Sequence, residues 1–379
     1  MIKELFELRP YIYGRFDEIS MLPVFKKNNV KYMIYGAGQG GKLLLSLIKR
    51  LYNIMPDFIV DKSPSVDKMD GVPVISVEEF RKQNFKKLLA LVSIYKYHND
   101  KKLRTEIDQL INDVGVENGA NYIVYDAFNI IEPYNLSWYY YVKDNVELFE
   151  KTYNLLSDSI SQKTMLYYLR TIILGERYRG ITFPEEYKYW GIDTARKKLF
   201  ELSDDEILLN VGAARGDTIY QYLRCNNPFK KIIGVEASQK EYEKLRQNIS
   251  LLEKYISTKI QLDHFLMGTD DKTIDHLYEN EKISLICMDI EGAELSVLKS
   301  AVNTIRNRRP VLSICAYHKA EDLIDIPLWI KSNVEGYVFA LRKYPSVWWN
   351  YQSQILQRIE LVLYAIPQER YIKSEDDRD

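Results

Sequence analysis

Ile207-Leu208-Leu209-Asn210-Val211-Gly212-Ala213-Ala214-Arg215-Gly216-Asp217, followed by Ile232-Ile233-Gly234-Val235-Glu236, is the stretch that decides the fold. Two short apolar runs flank a glycine-rich turn and a helical segment. Strand, glycine turn, helix, strand, acid is the order of an α/β nucleoside site. Gly212 and Gly216 let the backbone approach a ligand with no Cβ in the way. The helix start presents free N–H groups. Glu236, at the tip of the second strand, can accept hydrogen bonds from both hydroxyls of a ribose. No Lys-Ser or Lys-Thr follows Gly216, so nothing here is built as a phosphate cradle. A nucleoside without phosphates fits, and S-adenosylmethionine is the obvious candidate.

A second segment adds chemistry. Asp289-Ile290-Glu291-Gly292-Ala293-Glu294 directly follows a buried-type strand, Ile283–Met288. Carboxylates packed at a strand end need partners. Helix capping and dipole pairing account for one or two of the three acids, not the set. The next strand, Pro310–Ala316, delivers Tyr317-His318-Lys319 at its tip. A histidine titrates near neutrality by type and can take a proton from a hydroxyl. A satisfied surface histidine is the commoner fate, but the facing acids favour a functional one.

From about Glu185 to Ile366 the chain resembles the FkbM family of S-adenosylmethionine-dependent methyltransferases. The resemblance rests on Val211-Gly212-Ala213 with Gly216-Asp217-Thr218, on Val235-Glu236-Ala237-Ser238 and on Thr273-Ile274-Asp275. It continues through Met288 to Glu294, Arg309-Pro310, and Ala316-Tyr317-His318-Lys319 with Glu321-Asp322 and Ile326-Pro327. It implies a class I methyltransferase domain that O-methylates a hydroxyl of a sugar or glycan precursor, as in polysaccharide biosynthesis. Asn210, Gly212, Gly216, Asp217 and Glu236 then form the cofactor site, with Asn210 or Asp217 orienting the donor's amino-acid end. Asp289, Glu291 and His318 surround the acceptor as the catalytic set. The same trio could instead hold a hard divalent cation on a sugar diol, because carboxylate oxygens suit Mg²⁺. Two features depart from the family pattern: Asn210 stands where Asp is common, and the segment between Leu262 and Asp275 is short. The alternative function is a nucleotide-sugar-binding or assembly module on a non-catalytic methyltransferase fold.

The N-terminal part carries a second glycine loop. Lys31–Tyr35 reads as a strand, Gly36-Ala37-Gly38-Gln39-Gly40-Gly41 opens a helix, and Phe58-Ile59-Val60 ends at Asp61. Gly36, Gly38, Gly41 and Asp61 match the dinucleotide fingerprint. With no second mononucleotide half or Tyr-x-x-x-Lys, a nucleotide or nucleotide-sugar pocket ranks first. A scaffold that merely keeps the loop is second, and a dehydrogenase last. The expected fold is α/β: two Rossmann-like doubly wound domains joined by a helical connector. Residues 1–127 form the first domain, 128–198 the connector and 199–379 the methyltransferase domain. Periodicity predicts helices over Val146–Leu174 and Ala293–Ile305, and an irregular aromatic stretch over Ile130–Tyr141.

Composition narrows the partners. A formal net charge of −1 argues against nucleic acid. There is no apolar run of about 18 residues, so no membrane span is expected. The N-terminus lacks a signal-peptide core, which makes the cytoplasm the default compartment. Cys225, Cys287 and Cys315 are scattered, and the last two lie in strand-like runs as buried thiols. Trp138-Tyr139-Tyr140-Tyr141 and Trp348-Trp349 are of the kind that fills interfaces, which allows a homodimer.

Overall fold

The computed structural model describes residues 1–6, 21–94, 100–114, 122–126, 136–174, 178–192, 198–253, 260–269, 271–345 and 360–373. Trp348 and Trp349 lie outside these residues.

Two short helices, Ile2–Leu5 (α1) and Leu22–Lys27 (α2), precede the first sheet. Then come Lys31–Tyr35 (β1), Gln39–Tyr52 (α3), Phe58–Asp61 (β2), Lys68–Met69 (β3), Val72–Ser76 (β4) and Val77–Arg81 (α4). Leu88–Val92 (β5), Lys101–Asp113 (α5) and Tyr122–Asp126 (β6) complete this unit. The strands lie in the order β3-β4-β2-β1-β5-β6 and are parallel except β3. The expected strand, glycine turn, helix, strand, acid arrangement is therefore present.

Among the described residues three helices follow: Leu136–Asp144 (α6), Val146–Leu155 (α7) and Ser159–Leu174 (α8). The aromatic end of the stretch read as irregular is helical, because Tyr139 and Val142, three residues apart, are buried on one face.

The second sheet contains Ile207–Val211 (β7), Lys231–Glu236 (β8), Ile260–His264 (β9), Leu285–Met288 (β10), Val311–Cys315 (β11), Tyr337–Tyr344 (β12) and Glu360–Pro367 (β13). Its helices are Asp217–Arg224 (α9), Gln239–Glu253 (α10), Ile274–Leu277 (α11), Glu294–Lys299 (α12), Val302–Arg308 (α13) and Asp322–Asn333 (α14). The strand order is β12-β13-β11-β10-β7-β8-β9, with β13 antiparallel to both neighbours. The single helix expected over Ala293–Ile305 is two. Asp275 caps the second from outside, accepting the Asn303 and Thr304 N–H groups at 2.9 and 2.6 Å.

Helices α6 to α8 share one apolar cluster with the seven-stranded sheet. Tyr139, Phe149, Met165, Leu169 and Ile173 pack with Leu209, Ile286, Phe339 and Leu363. The α7–α8 junction also shields the edge strand β12, whose outward polar groups would otherwise invite pairing. Ser157 donates its N–H and its hydroxyl to the Phe339 carbonyl, and the Leu341 N–H donates to Ser161 Oγ. Beneath them Arg342 pairs with Asp158, both fully buried. Toward the first sheet, the Arg50 guanidinium of α3 lies 3.9 Å over the Tyr139 ring and donates to the Ile173 carbonyl. No described helix is long and apolar enough to cross a membrane.

Candidate active site

In each sheet the first strand sends the chain one way and a later strand pairs on its other side. The crevice at the carboxyl ends of such strands is where open α/β sheets bind ligands. In the second sheet it lies between β7 and β10.

Gly212 leaves β7 with φ +80°, and its N–H and that of Ala213 both donate to the Val235 carbonyl at 2.9 Å. A Cβ on Gly212 would lie 2.0 Å from the Asp289 carbonyl oxygen, so only glycine lets the β7 turn meet the end of β10. Gly216, at φ +93°, is the cap of α9, and Asp217 is exposed in its first turn. Asp217 makes no side-chain hydrogen bond to the other predicted site residues. Asn210 is buried in β7 with its Oδ1 unpartnered. Glu236 is half-buried at the end of β8. Its two oxygens accept the Ala214 N–H at 2.8 Å and the Ser238 N–H at 2.7 Å. Each oxygen keeps a lone pair for a further donor.

Across the crevice, Glu291 and Gly292 take φ of +55° and +95° in succession. This tight turn leaves the Glu291 side chain 89% exposed and turns Glu294, three residues on, fully inward at the start of α12. His318 follows β11 and is almost buried. Its Nε2 lies 3.3 Å from Asp289 Oδ1 and 3.7 Å from Glu291 Oε2, and its Nδ1 lies 2.9 Å from Glu294 Oε1. The structure thus gathers the predicted Asp289 and His318, leaves Glu291 at the rim, and adds Glu294 in the interior. Lys319 donates its ammonium to the Gly292 carbonyl, which pins the turn.

The charges set the protonation states. Burial disfavours a charged imidazole at His318, but contacts with Asp289 and Glu294 outweigh it and push its pKa up to about 10. Burial also disfavours a charged Asp289. The His318 ring and the Lys188 ammonium outweigh that and hold its carboxyl below the usual range. At neutral pH His318 therefore holds its proton and Asp289 does not. Near-neutral titration, expected from residue type, gives way to the two adjoining carboxylates.

The segment before β7 supplies groups that sequence reasoning missed. Lys188 Nζ lies 2.8 Å from Glu360 Oε2 and 3.5 Å from Asp289 Oδ2. The Tyr189 hydroxyl donates to Asp289 Oδ2 at 3.1 Å and lies 3.3 Å from Cys315 Sγ. Tyr189 is fixed by its N–H to the Tyr364 hydroxyl and by Ser313 Oγ to its carbonyl. Nothing in the spacing of residues 182–190 announces this role. Cys287 and Cys315 are free buried thiols, as expected.

In the first sheet, Gly36 has φ +107° and Gly38 precedes α3. A Cβ on Gly41 would lie 2.0 Å from the Gly36 carbonyl oxygen, whereas one on Gly38 would meet nothing within 4 Å. Asp61 ends β2, and its oxygens accept the Ala37 N–H at 2.7 Å and the Ser63 N–H at 2.9 Å.

Residues 210–339 match the family model described as Methyltransferase FkbM domain. That span holds every predicted residue of the C-terminal site, whereas Lys188, Tyr189 and Glu360 lie outside it. The crystal structure of methyltransferase FkbM from Methylobacillus flagellatus KT is 21% identical, with a TM-score of 0.56 over 96% of this chain and 97% of that one. At that identity the likeness speaks for the fold. Weaker partial likenesses include Sp1610 of Streptococcus pneumoniae in complex with S-adenosyl-L-methionine (16% identity, TM-score 0.33, 48% of this chain and 73% of that one). An rRNA methylase from Streptococcus thermophilus is another (17%, 0.31, 45% and 90%). No curated protein matches the sequence.

Proposed function

We propose that the chain is a methyltransferase of the FkbM type, which the family-model match over residues 210–339 and the shared fold support, and that it moves a methyl group from S-adenosylmethionine to a hydroxyl of a sugar or glycan precursor. The observation that carries this is the abutment of Gly212 on the Asp289 carbonyl, which sets a nucleoside-type turn against a charged cluster. The donor set fits S-adenosylmethionine: Glu236 has lone pairs free for ribose hydroxyls, and the buried Asn210 Oδ1 lacks a partner. When bound, the sulfonium supplies a methyl group already activated for displacement.

What remains for the protein is alignment and removal of one proton. Glu236 holds the ribose, and Asn210 with Asp217 orients the amino-acid end. Asp289, kept ionised by His318 and Lys188 and held by the Tyr189 hydroxyl, receives the acceptor's hydroxyl proton. His318 keeps its own proton and steadies the Asp289 charge, while Glu291 at the rim contacts the acceptor. The N-terminal loop, with open space over Gly38, takes a nucleotide or nucleotide-sugar.

Calorimetry of the full chain with S-adenosylmethionine tests the reading. Binding by the wild type and a roughly 10- to 100-fold loss in Glu236→Gln are expected, since charge-assisted hydrogen bonds are worth about 1.5–3 kcal/mol. Absence of wild-type binding, with heat from a nucleotide sugar instead, favours a binding module without catalysis.

A further inference from the structure

Glu294 is fully buried, and a buried carboxylate is stable only with its lone pairs satisfied. Its Oε1 accepts the Ile290 N–H at 2.9 Å, but its Oε2 has no partner. His318 Nδ1, although 2.9 Å from Glu294 Oε1, makes no well-directed hydrogen bond. Two buried polar atoms, Glu294 Oε2 and His318 Nδ1, are thus left unsatisfied within the cluster.

The surroundings are acidic. Asp289 and Glu360 share the Lys188 ammonium, Asp322 accepts the Lys319 N–H, and the Lys319 ammonium is held on the Gly292 carbonyl. Asp289, Glu294 and His318 each offer a ligand atom, and these atoms lie within 4.8 Å of one another. A cation about 2.1 Å from each donor sets donors about 3–4 Å apart, so small side-chain rotations complete the set. Two carboxylates and one imidazole form a mixed O/N set, which suits borderline first-row divalent cations.

We propose that Asp289, Glu294 and His318 bind one divalent cation of the Mn²⁺ or Zn²⁺ class. Glu294 replaces Glu291 in the trio that the sequence suggests. Glu291, at the rim, borders the open side of the cation, where an acceptor's oxygen atoms are held. This last role rests on the methyl-transfer reading, whereas cation binding itself does not. In the metal-free site His318 is protonated between the two carboxylates, and a cation binds by displacing that proton. The competing arrangement is a site that keeps the proton and takes up no metal.

Titration of the full chain with Mn²⁺, followed by loss of the free-ion paramagnetic resonance signal, decides between them. The expected result is one ion per chain. Glu294→Gln and Asp289→Asn, which alter ligands directly, should each weaken binding by more than the roughly 10- to 100-fold that loss of an outer-shell partner costs. Glu291→Gln should bind as the wild type does, and near-UV circular dichroism confirms that each variant folds. Wild type that takes up no Mn²⁺, or both ligand variants binding as tightly as wild type, overturns the proposal. Calorimetry with S-adenosylmethionine on the same samples keeps the readings apart. Donor binding without Mn²⁺ binding refutes the cation alone, and Mn²⁺ binding without donor binding refutes methyl transfer alone.

Discussion

Lys188→Met probes how the carboxylates behind the site are held. The Lys188 side chain is 10% exposed, and its ammonium lies 2.8 Å from Glu360 and 3.5 Å from Asp289. At an effective dielectric of about 20 these pairs carry gross attractions of about 6 and about 5 kcal/mol. Desolvation of the ammonium offsets much of that, and its pKa still ends above the ordinary lysine value because the surrounding charges outweigh burial. Methionine fills a similar volume but leaves Glu360 and Asp289 without their cation. Removing one partner of a buried pair costs about 3–5 kcal/mol, and that is the expected loss. Urea unfolding followed by tryptophan fluorescence reads it, because the fully buried Trp190 stacks edge-on against Tyr222 within this region. In Lys188→Met/Glu360→Gln the more buried of the two orphaned carboxylates is gone, so the double variant should recover about 1–3 kcal/mol relative to additivity. Affinity for S-adenosylmethionine should stay close to wild type, since Glu236 lies on another strand. A Lys188→Met loss below about 1 kcal/mol, the scale of an exposed pair, or strict additivity with Glu360→Gln, refutes the reasoning.

Gly212→Ala should cost more than about 3 kcal/mol, because left-handed backbone adds about 1–2 kcal/mol to a clash with the Asp289 carbonyl; calorimetric unfolding and donor binding check it. Gly38→Ala, with φ −73° and open space around the new methyl, should change stability by less than about 1 kcal/mol. Lys343 is buried, which lowers its pKa to about 8, and its ammonium reaches the Thr182 hydroxyl, the Tyr344 carbonyl and the face of the Tyr178 ring, none of them an anion. Lys343→Met should therefore stabilise the protein by about 1–3 kcal/mol at pH 7, read as a higher urea midpoint. In the wild type without metal, two pH effects oppose each other. His318, raised in the fold, contributes stability that is full below its unfolded pKa of about 6.5 and is lost as pH rises through about 10. Lys343, lowered in the fold, adds stability as pH rises from about 8 to about 10.4. Urea midpoints from pH 6 to 10 should fall more steeply in Lys343→Met than in wild type, and parallel curves would exclude this opposition.

The strands and glycine turns of both units follow from short apolar runs that end in glycine or an acid. Such signals are local: one strand, one turn and one helix suffice to read them. Asp289 and His318 were legible for the same reason, since each ends a buried strand. Glu294 was readable too, but by a different rule. It shares a helix face with the buried Val297 and Leu298, at spacings of three and four, whereas Glu291 lies in the turn before that helix. Lys188 and Tyr189 were not readable. They sit in an irregular segment, and only the folded sheet carries them to Asp289 from a hundred residues away. The break between α12 and α13 was hidden for a similar reason, because the cap on α13 is Asp275, distant in sequence. His318's protonation was misread from residue type because two carboxylates, one buried and one half-buried, set its environment.

The two glycine loops share a device that bears on how such sequences are read. Asp61 binds the N–H of the residue after Gly36 and the N–H two residues beyond itself. Glu236 does the same with Ala214, in the turn after Gly212, and with Ser238. In both sheets the acid after the second strand braces the glycine turn with no ligand required. The acid is therefore a structural element first, and a ribose partner through its remaining lone pairs. What separates the two units is the neighbouring strand. After β5 the chain brings Ser93, whose hydroxyl donates to the Tyr35 and Gly36 carbonyls, and whose own carbonyl would lie 2.2 Å from a Cβ on Gly40. That contact packs backbone against backbone. After β10 the chain brings Asp289, then Glu294 and His318, beside an equally close backbone contact at Gly212. Identical braces thus stand, among the described residues, beside the uncharged Ser93 and Ile94 in one sheet and a charged cluster in the other. On the proposed function, chemistry on an acceptor belongs with the second, where Asp289, Glu294 and His318 adjoin the glycine turn.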